Sequence, residues 1–212
     1  MLFGVGIFPE DNITLAAIEA LKSSKYIFCP RTESGSIAAE LVKKYVQKDI
    51  EFIDFPMGKD IKIDVSRILK SLLENKNVSF VSIGDPLFYS TFLQIMDAVK
   101  SYGIEVRVFP TITSFSFAAS KINLPIALKD EGISVVPGTN LKLLEKAVNI
   151  FDNIVVIKPN RNFLKIVDIL KDKGFKIYIF ENLGFENERV FVEDIPESIG
   201  YLSIIIAKRG IK

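Results

Sequence analysis

The chain has 212 residues, 49% of them hydrophobic, which is enough to bury one large core or two smaller ones. Its 27 basic residues nearly balance 26 acidic ones, which argues against affinity resting mainly on a polyanionic backbone, and no basic stripe marks a nucleic-acid surface. One cysteine, Cys29, excludes an internal disulfide, and the absence of histidine removes the commonest transition-metal ligand and the usual general base, so no metal site is expected.

Residues 1–6 carry no cationic lead-in and no cleavage site, and no window reaches the roughly 18 apolar residues of a spanning helix. A cytoplasmic location without membrane association is expected. Residues 1–7 read as a buried strand ending in Gly4-Val5-Gly6, and residues 14–23 carry Leu15, Ile18 and Leu21 at helical spacing. A second strand, residues 26–29, closes at Pro30. Ser36 then suits the cap of a helix whose apolar face is Ile37, Leu41 and Tyr45. A short third strand over residues 52–55 precedes a helix lined by Val65, Ile68, Leu69 and Leu72.

The apolar run 78–83 stops at Gly84-Asp85-Pro86, a turn, and helical spacing resumes with Phe88, Phe92 and Ile95 over residues 88–100. A strand over 104–109 closes this half. Alternation of strands and helices predicts a mostly parallel sheet with helices on its faces, and residues 1–110 are read as an N-terminal α/β domain. In such a sheet ligands sit at the carboxyl ends of the strands, which makes the Gly84-Asp85 turn a candidate site.

The second half opens with Pro110-Thr111-Ile112-Thr113-Ser114-Phe115, leading into a small-residue helix over 117–122 that Leu124-Pro125 ends. Strands over 132–136 and 154–157 alternate with helices over 141–148 and 163–170. Three β-type runs, 176–180, 189–192 and 201–207, then follow without room for helices, so some pairing must be antiparallel. Residues 111–212 are read as a C-terminal α+β domain with a mixed sheet. No linker separates the halves, and a cleft between them is the expected ligand site.

Gly4-Val5-Gly6 lacks the third glycine of a dinucleotide fingerprint, and Phe8, Pro9 and Glu10 follow where a helix should start. The pair is better read as letting the backbone turn closely beneath a ligand or a neighbouring loop. Ser34, Ser36, Ser90, Thr91, Ser114 and Ser116 have no histidine to activate them, so capping or ligand contact is preferred to covalent chemistry. Cys29, inside an apolar strand, reads as inert core. Arg31, Lys158 and Arg161 follow strand ends and form a candidate pocket for carboxylates. Arg161, in the compact turn Lys158-Pro159-Asn160-Arg161-Asn162, has the best claim, because a planar guanidinium suits bidentate carboxylate binding.

Gly4-Val5-Gly6, Gly84-Asp85-Pro86-Leu87-Phe88-Tyr89-Ser90-Thr91 and Pro110-Thr111-Ile112-Thr113-Ser114-Phe115-Ser116 occur in the order and with spacing similar to those of the tetrapyrrole methylases, S-adenosylmethionine enzymes of the cobalamin pathway and their relatives. The resemblance covers essentially the whole chain. Val135-Val136-Pro137-Gly138-Thr139 and Ile154-Val155-Val156-Ile157-Lys158 with Arg161-Asn162-Phe163 are similar to the precorrin-2 or cobalt-factor II carbon-20 methyltransferases within that family.

The resemblance implies a two-domain enzyme, usually a homodimer, with S-adenosylmethionine folded between the domains and a tetrapyrrole small-molecule substrate above it. Carried over by position, Gly84, Asp85 and Phe88 match the central donor-binding loop, Thr113, Ser114 and Phe115 match the second, and Ile157 and Leu183 match donor contacts at second-domain strand ends. Arg31 and Arg161 are candidates for the substrate's propionate or acetate groups. The chain departs from the family in its first loop, where Phe8 and Glu10 stand at expected glycines and about two residues are missing before Thr14, and Thr111 replaces another glycine.

The implied chemistry is transfer of a methyl cation equivalent to a nucleophilic meso carbon, with positioning and water exclusion as the protein's main contributions. A base must remove a proton from the methylated carbon, and Asp11, Tyr89, Glu181 and Tyr201 are the candidates among which the sequence does not choose. The competing expectations are a relative acting on another tetrapyrrole, the diphthamide precursor or ribosomal RNA, and a non-catalytic S-adenosylmethionine-binding protein.

Overall fold

The computed structural model describes residues 1–32, 35–54, 64–74 and 76–210, so Ser34 and the end of the expected third strand at Phe55 lie outside the described residues. Two compact units divide the chain, Met1–Thr113 and Ser114–Lys212.

In the first unit the strands are β1 (Leu2–Ile7), β2 (Tyr26–Arg31), β3 (Ile50–Asp54), β4 (Val78–Ile83) and β5 (Val106–Phe109), and the helices between them are α1 (Leu15–Ser23), α2 (Ile37–Val42), α3 (Ser66–Leu73) and α4 (Phe92–Lys100). The sheet runs β3-β2-β4-β1-β5, and each pairing is parallel. Alternate side chains feed two layers, as the pleat dictates. Phe3, Val5, Ile7 and Cys29 pack with α1 and α2 on one face, while Leu2, Phe28 and Phe80 pack with α3 and α4 on the other. β4 is buried on both faces, as a central parallel strand should be, and its two serines, Ser79 and Ser82, are buried with hydroxyl partners in Ser24 and Ser90.

Gly4 has a packing reason. A Cβ there would lie 2.4 Å from the ring of Phe92, which is fully buried at the start of α4 and stacks on Phe80. Truncating Phe92 to alanine would cost about 3–5 kcal/mol on the scale of buried aromatics.

The second unit contains α5 (Ser114–Lys121), β6 (Ile133–Pro137), α6 (Leu141–Ala147), β7 (Asn153–Ile157), a 3-10 turn (Pro159–Asn162), α7 (Phe163–Asp172), β8 (Phe175–Glu181), β9 (Arg189–Val192) and β10 (Ser203–Arg209). Its sheet, β6-β7-β10-β8-β9, is mixed: β6 and β7 are parallel and the other neighbours antiparallel. The core lies between one sheet face and α6 and α7. Lys208, almost fully buried, is neutralised by Glu131 and donates to the Pro125 carbonyl at 2.7 Å, which anchors the chain entering β6.

Boundaries shift from the sequence reading at several elements, and two helix starts move by three or four residues. The fourth helix starts at Phe92 rather than at 88, because residues 85–91 form a turn: the Asp85 carboxylate accepts from the Leu87 amide, Tyr89 is left-handed at φ 51°, and Ser90 Oγ accepts from the Phe92 amide. Local side-chain acceptors outcompete the helix there. The first helix of the second half begins at Ser114, three residues earlier than its apolar pattern suggests. Among the described residues, no helix is long and apolar enough to cross a membrane.

Candidate functional site

The sheet order places the carboxyl ends of β4, β1 and β5 side by side, with Ile7 opposite Ile83 and Val5 opposite Phe109. The loops after β4 and β5 converge on Gly6. A Cβ there would lie 2.9 Å from the Gly84 carbonyl oxygen, from Pro86 Cδ and from Thr111 Cγ2, so only glycine lets them meet. Gly84 donates its amide to the Ile7 carbonyl at 2.9 Å and adopts φ +80°, and a Cβ added at Gly84 would meet nothing within 4 Å among the described residues. The place a side chain would take at Gly84 is therefore open space at the end of the central strand, although the glycine itself is buried. Asp85 is half-buried, and its Oδ1 is used to hold the turn through the Leu87 amide. Phe88 lies edge-on to Tyr89, with ring centroids 5.1 Å apart.

The loop after β1 is a tight hairpin. The Phe8 amide donates to the Asn12 carbonyl, and the Asn12 side chain donates to the Pro9 carbonyl at 2.6 Å. Thr111 Oγ1 donates to the Asn12 carbonyl at 2.8 Å and so ties this hairpin to the loop after β5. Glu10 and Asp11 are both left-handed, at φ 57° and 58°, a conformation uncommon outside glycine. Asp11 Oδ1 accepts a 2.6 Å hydrogen bond from the hydroxyl of Tyr45, which follows α2. Burial first, then the hydrogen bond to Asp11 and its charge, push the Tyr45 phenol up to about 12. Residues 11–14 and 110–112 line a concavity of about 400 Å³ beside these loops.

The other expected positions fall as follows. Thr113 ends the loop after β5, and Ser114 and Phe115 open α5 in the second unit. Ile157 ends β7 and Leu183 follows β8; both are buried, and β7 and β8 flank β10, with Ile157 opposite Ile204 and Glu181 opposite Ser203. The chain after β7 is held close: Gly138 abuts Pro159 and Lys158, with no room for a Cβ, and the Asn162 side chain donates to the Gly138 carbonyl at 2.9 Å. Lys158 is left-handed at φ 51°, and desolvation pulls its ammonium below the usual lysine range. Arg161, in the 3-10 turn, is exposed and has no ion-pair partner among the described residues.

Arg31 is placed differently from a free carboxylate receptor. It donates through Nε at 2.8 Å and through Nη2 at 3.2 Å to the Asp54 carboxylate on the neighbouring strand, and its guanidinium lies over Phe52. The same pairing holds Asp54 below the usual carboxylate range. Glu181 is fully buried: Oε1 accepts from the Gly200 amide, and Oε2 is ion-paired with the Arg189 guanidinium but accepts no hydrogen bond among the described residues. Cys29 is fully buried, and its thiol is pushed up to about 12 by desolvation, so it is inert at neutral pH.

The Tyr45–Asp11 pair was not legible in sequence. Tyr45 continues the apolar spacing of α2 and gives no sign that its hydroxyl turns toward a residue 34 positions earlier. The Thr111–Asn12 tie was signalled only by the threonine's place at an expected glycine.

Comparison with known proteins follows the same lines. The family model of the tetrapyrrole (corrin/porphyrin) methylases matches residues 1–198. A probable cobalt-precorrin-2 C(20)-methyltransferase of Methanocaldococcus jannaschii is 34% identical over 97% of this chain and 94% of its own length. A probable cobalt-precorrin-7 C(5)-methyltransferase of the same organism is 26% identical over 97% of both chains. Among solved structures, a cobalt precorrin-4 methyltransferase superimposes with a TM-score of 0.76 at 16% identity, covering 98% of this chain and 94% of the other, a likeness of fold.

Proposed function

The chain belongs to the tetrapyrrole (corrin/porphyrin) methylases and is a methyltransferase, and from that premise we propose that it methylates carbon 20 of precorrin-2 or its cobalt-bearing form in cobalamin biosynthesis, with S-adenosylmethionine as donor. The observation that carries the choice of carbon is the 34% identity, over nearly the whole of both chains, to a protein named for that reaction, against 26% to one named for carbon 5.

The residues of the first unit suit the donor. Gly84, left-handed and without a side chain, leaves open space beside the turn, Asp85 fixes that turn, Phe88 stands on it, and Thr113 stands on the loop after β5. These would hold the methionine end, and Ser114, Phe115, Ile157 and Leu183 belong to the same proposal. Bound S-adenosylmethionine supplies a methyl group already activated on a sulfonium. What remains for the chain is to align the acceptor carbon with that methyl, exclude water and receive a proton.

Of the two arginines, Arg161 is the better receptor for a substrate carboxylate, because the donors of Arg31 are engaged by Asp54. A homodimer is part of the same reading. Methylation of a different corrin intermediate is the second reading, favoured by the likeness to the carbon-5 enzyme.

The test is an anaerobic incubation with labelled S-adenosylmethionine and precorrin-2, with and without inserted cobalt, read by mass spectrometry. A single methyl added to one of the two forms is expected. Donor binding without transfer to either form would discard this substrate.

A further inference from the structure

We propose that Asp11 is the group that takes the proton from carbon 20, and that the Tyr45 hydroxyl positions it; this rests on the methyl-transfer reading given above. The chemistry requires such a group. A meso carbon that bears hydrogen and gains a methyl must lose that hydrogen as a proton, and the chain has no histidine to receive it.

Four side chains were open to the role on sequence grounds, and the structure separates them. Glu181 is fully buried and ion-paired with the Arg189 guanidinium, with Oε1 accepting from the Gly200 amide, so although its Oε2 accepts no hydrogen bond among the described residues it is shut away at the end of β8. Tyr89 and Tyr201 are phenols, which must give up one proton before they can take another. Asp11 is a carboxylate on the wall of the concavity at the carboxyl end of β1. Its Oδ1 is fixed by Tyr45 at 2.6 Å, while among the described residues no donor engages Oδ2.

The backbone supports the assignment independently. Two consecutive non-glycine residues, Glu10 and Asp11, are held left-handed by the Asn12 side chain and by the tie from Thr111. Strain of this kind persists where the surroundings over-determine it, and it clusters at functional positions. Here its effect is to aim one short acidic side chain.

The step balances. The carbon–sulfur bond breaks as the carbon–carbon bond forms, leaving a neutral thioether and a cationic macrocycle whose carbon 20 carries both methyl and hydrogen. The carbon–hydrogen bond then breaks, its electron pair returns to the macrocycle, and the proton goes to Asp11 Oδ2 and on to water.

The experiment compares wild type, Asp11→Asn and Tyr45→Phe on precorrin-2 carrying hydrogen or deuterium at carbon 20, with calorimetry for donor and substrate. Asparagine tolerates the left-handed backbone, so Asp11→Asn keeps the loop. It is expected to bind both ligands as wild type does, to turn over roughly 10²–10⁴-fold more slowly, and to show a primary deuterium isotope effect as proton removal becomes limiting. Tyr45→Phe is expected to lower kcat with KM unchanged and to show the same isotope effect more weakly. Wild-type turnover in Asp11→Asn, or a loss confined to substrate affinity with no isotope effect, would overturn the assignment. Absence of methyl transfer in the wild type would instead overturn the reading on which it rests, and is seen before any variant is made.

Discussion

Replacement of Gly6 by alanine separates the fold from the site. The new Cβ would lie 2.9 Å from the Gly84 carbonyl oxygen, Pro86 Cδ and Thr111 Cγ2. Carbon contacts relax at about 3.5–4.0 Å, so the loops after β4 and β5 must retreat by roughly 0.5–1 Å. Two of the three atoms belong to the Gly84–Pro86 turn, and a backbone carbonyl cannot swing aside as a side chain does. Overpacking on this scale destabilises by about 1–3 kcal/mol, or roughly 2–4 °C of Tm per kcal/mol for a chain of this size. The same retreat displaces the turn proposed to hold the donor, and a misplacement of about 1 Å costs on the order of 10²-fold in rate.

Gly6→Ala should therefore unfold only several degrees early while losing on the order of 10²-fold in kcat/KM. Gly4→Ala is the control: its Cβ strikes the buried Phe92 ring at 2.4 Å, so its strain falls on the core rather than on a loop carbonyl. It should lose comparable stability, about 1–3 kcal/mol, with much less effect on donor affinity. Thermal unfolding, calorimetry with S-adenosylmethionine and steady-state kinetics on both variants decide the matter. Wild-type kcat/KM in Gly6→Ala, or activity falling in step with stability in both variants, would refute the reasoning.

Other outcomes follow from the same structure. The Tyr45 phenol is raised from about 10 to about 12, so its contribution to stability is complete below pH 10 and is lost between pH 10 and 12. Spectrophotometric titration should show one of the six tyrosines delayed, and Tyr45→Phe should abolish the delay; six coincident titrations would contradict it. Cys29 should resist thiol reagents in the native protein at neutral pH and react stoichiometrically only after unfolding, whereas rapid native labelling would show that its strand opens. Arg161→Glu should weaken tetrapyrrole binding by roughly 10- to 100-fold, the range of a lost charge-assisted hydrogen bond, and leave donor affinity unchanged. Arg31→Glu should have the smaller effect on the tetrapyrrole, since that guanidinium already serves Asp54. Equal loss of donor and substrate binding in Arg161→Glu would reject its role.

The alternation of the first half was legible because parallel strands buried on both faces leave short, largely apolar runs, and helices between them leave a 3.6-residue period. Val78 to Ile83 and the turn at Gly84 are the clearest case. The antiparallel close of the second half was legible from a lack of room: too few residues separate β8, β9 and β10 for helices. What escaped was set by tertiary contact. The start of α4 moved to Phe92 because Asp85 and Ser90 capture amides that a helix would otherwise use. Gly4 and Gly6 resemble one motif, yet one makes room for a core ring and the other for the two loops after β4 and β5. Tyr45 was read as apolar face, and its hydroxyl's partner lies across the fold, beyond the reach of periodicity. Arg31 was rightly placed at a strand end, but the register that sets Asp54 opposite it is a property of the sheet.

The central claim is the carbon that receives the methyl. The most direct measurement is carbon-13 NMR of the product formed anaerobically from precorrin-2, or its cobalt form, and S-adenosylmethionine labelled in the methyl carbon. One enriched methyl signal, coupled to carbon 20 in substrate labelled there, is the predicted result. Enrichment at carbon 5 or any other position, or no enrichment while the donor is consumed, would contradict it.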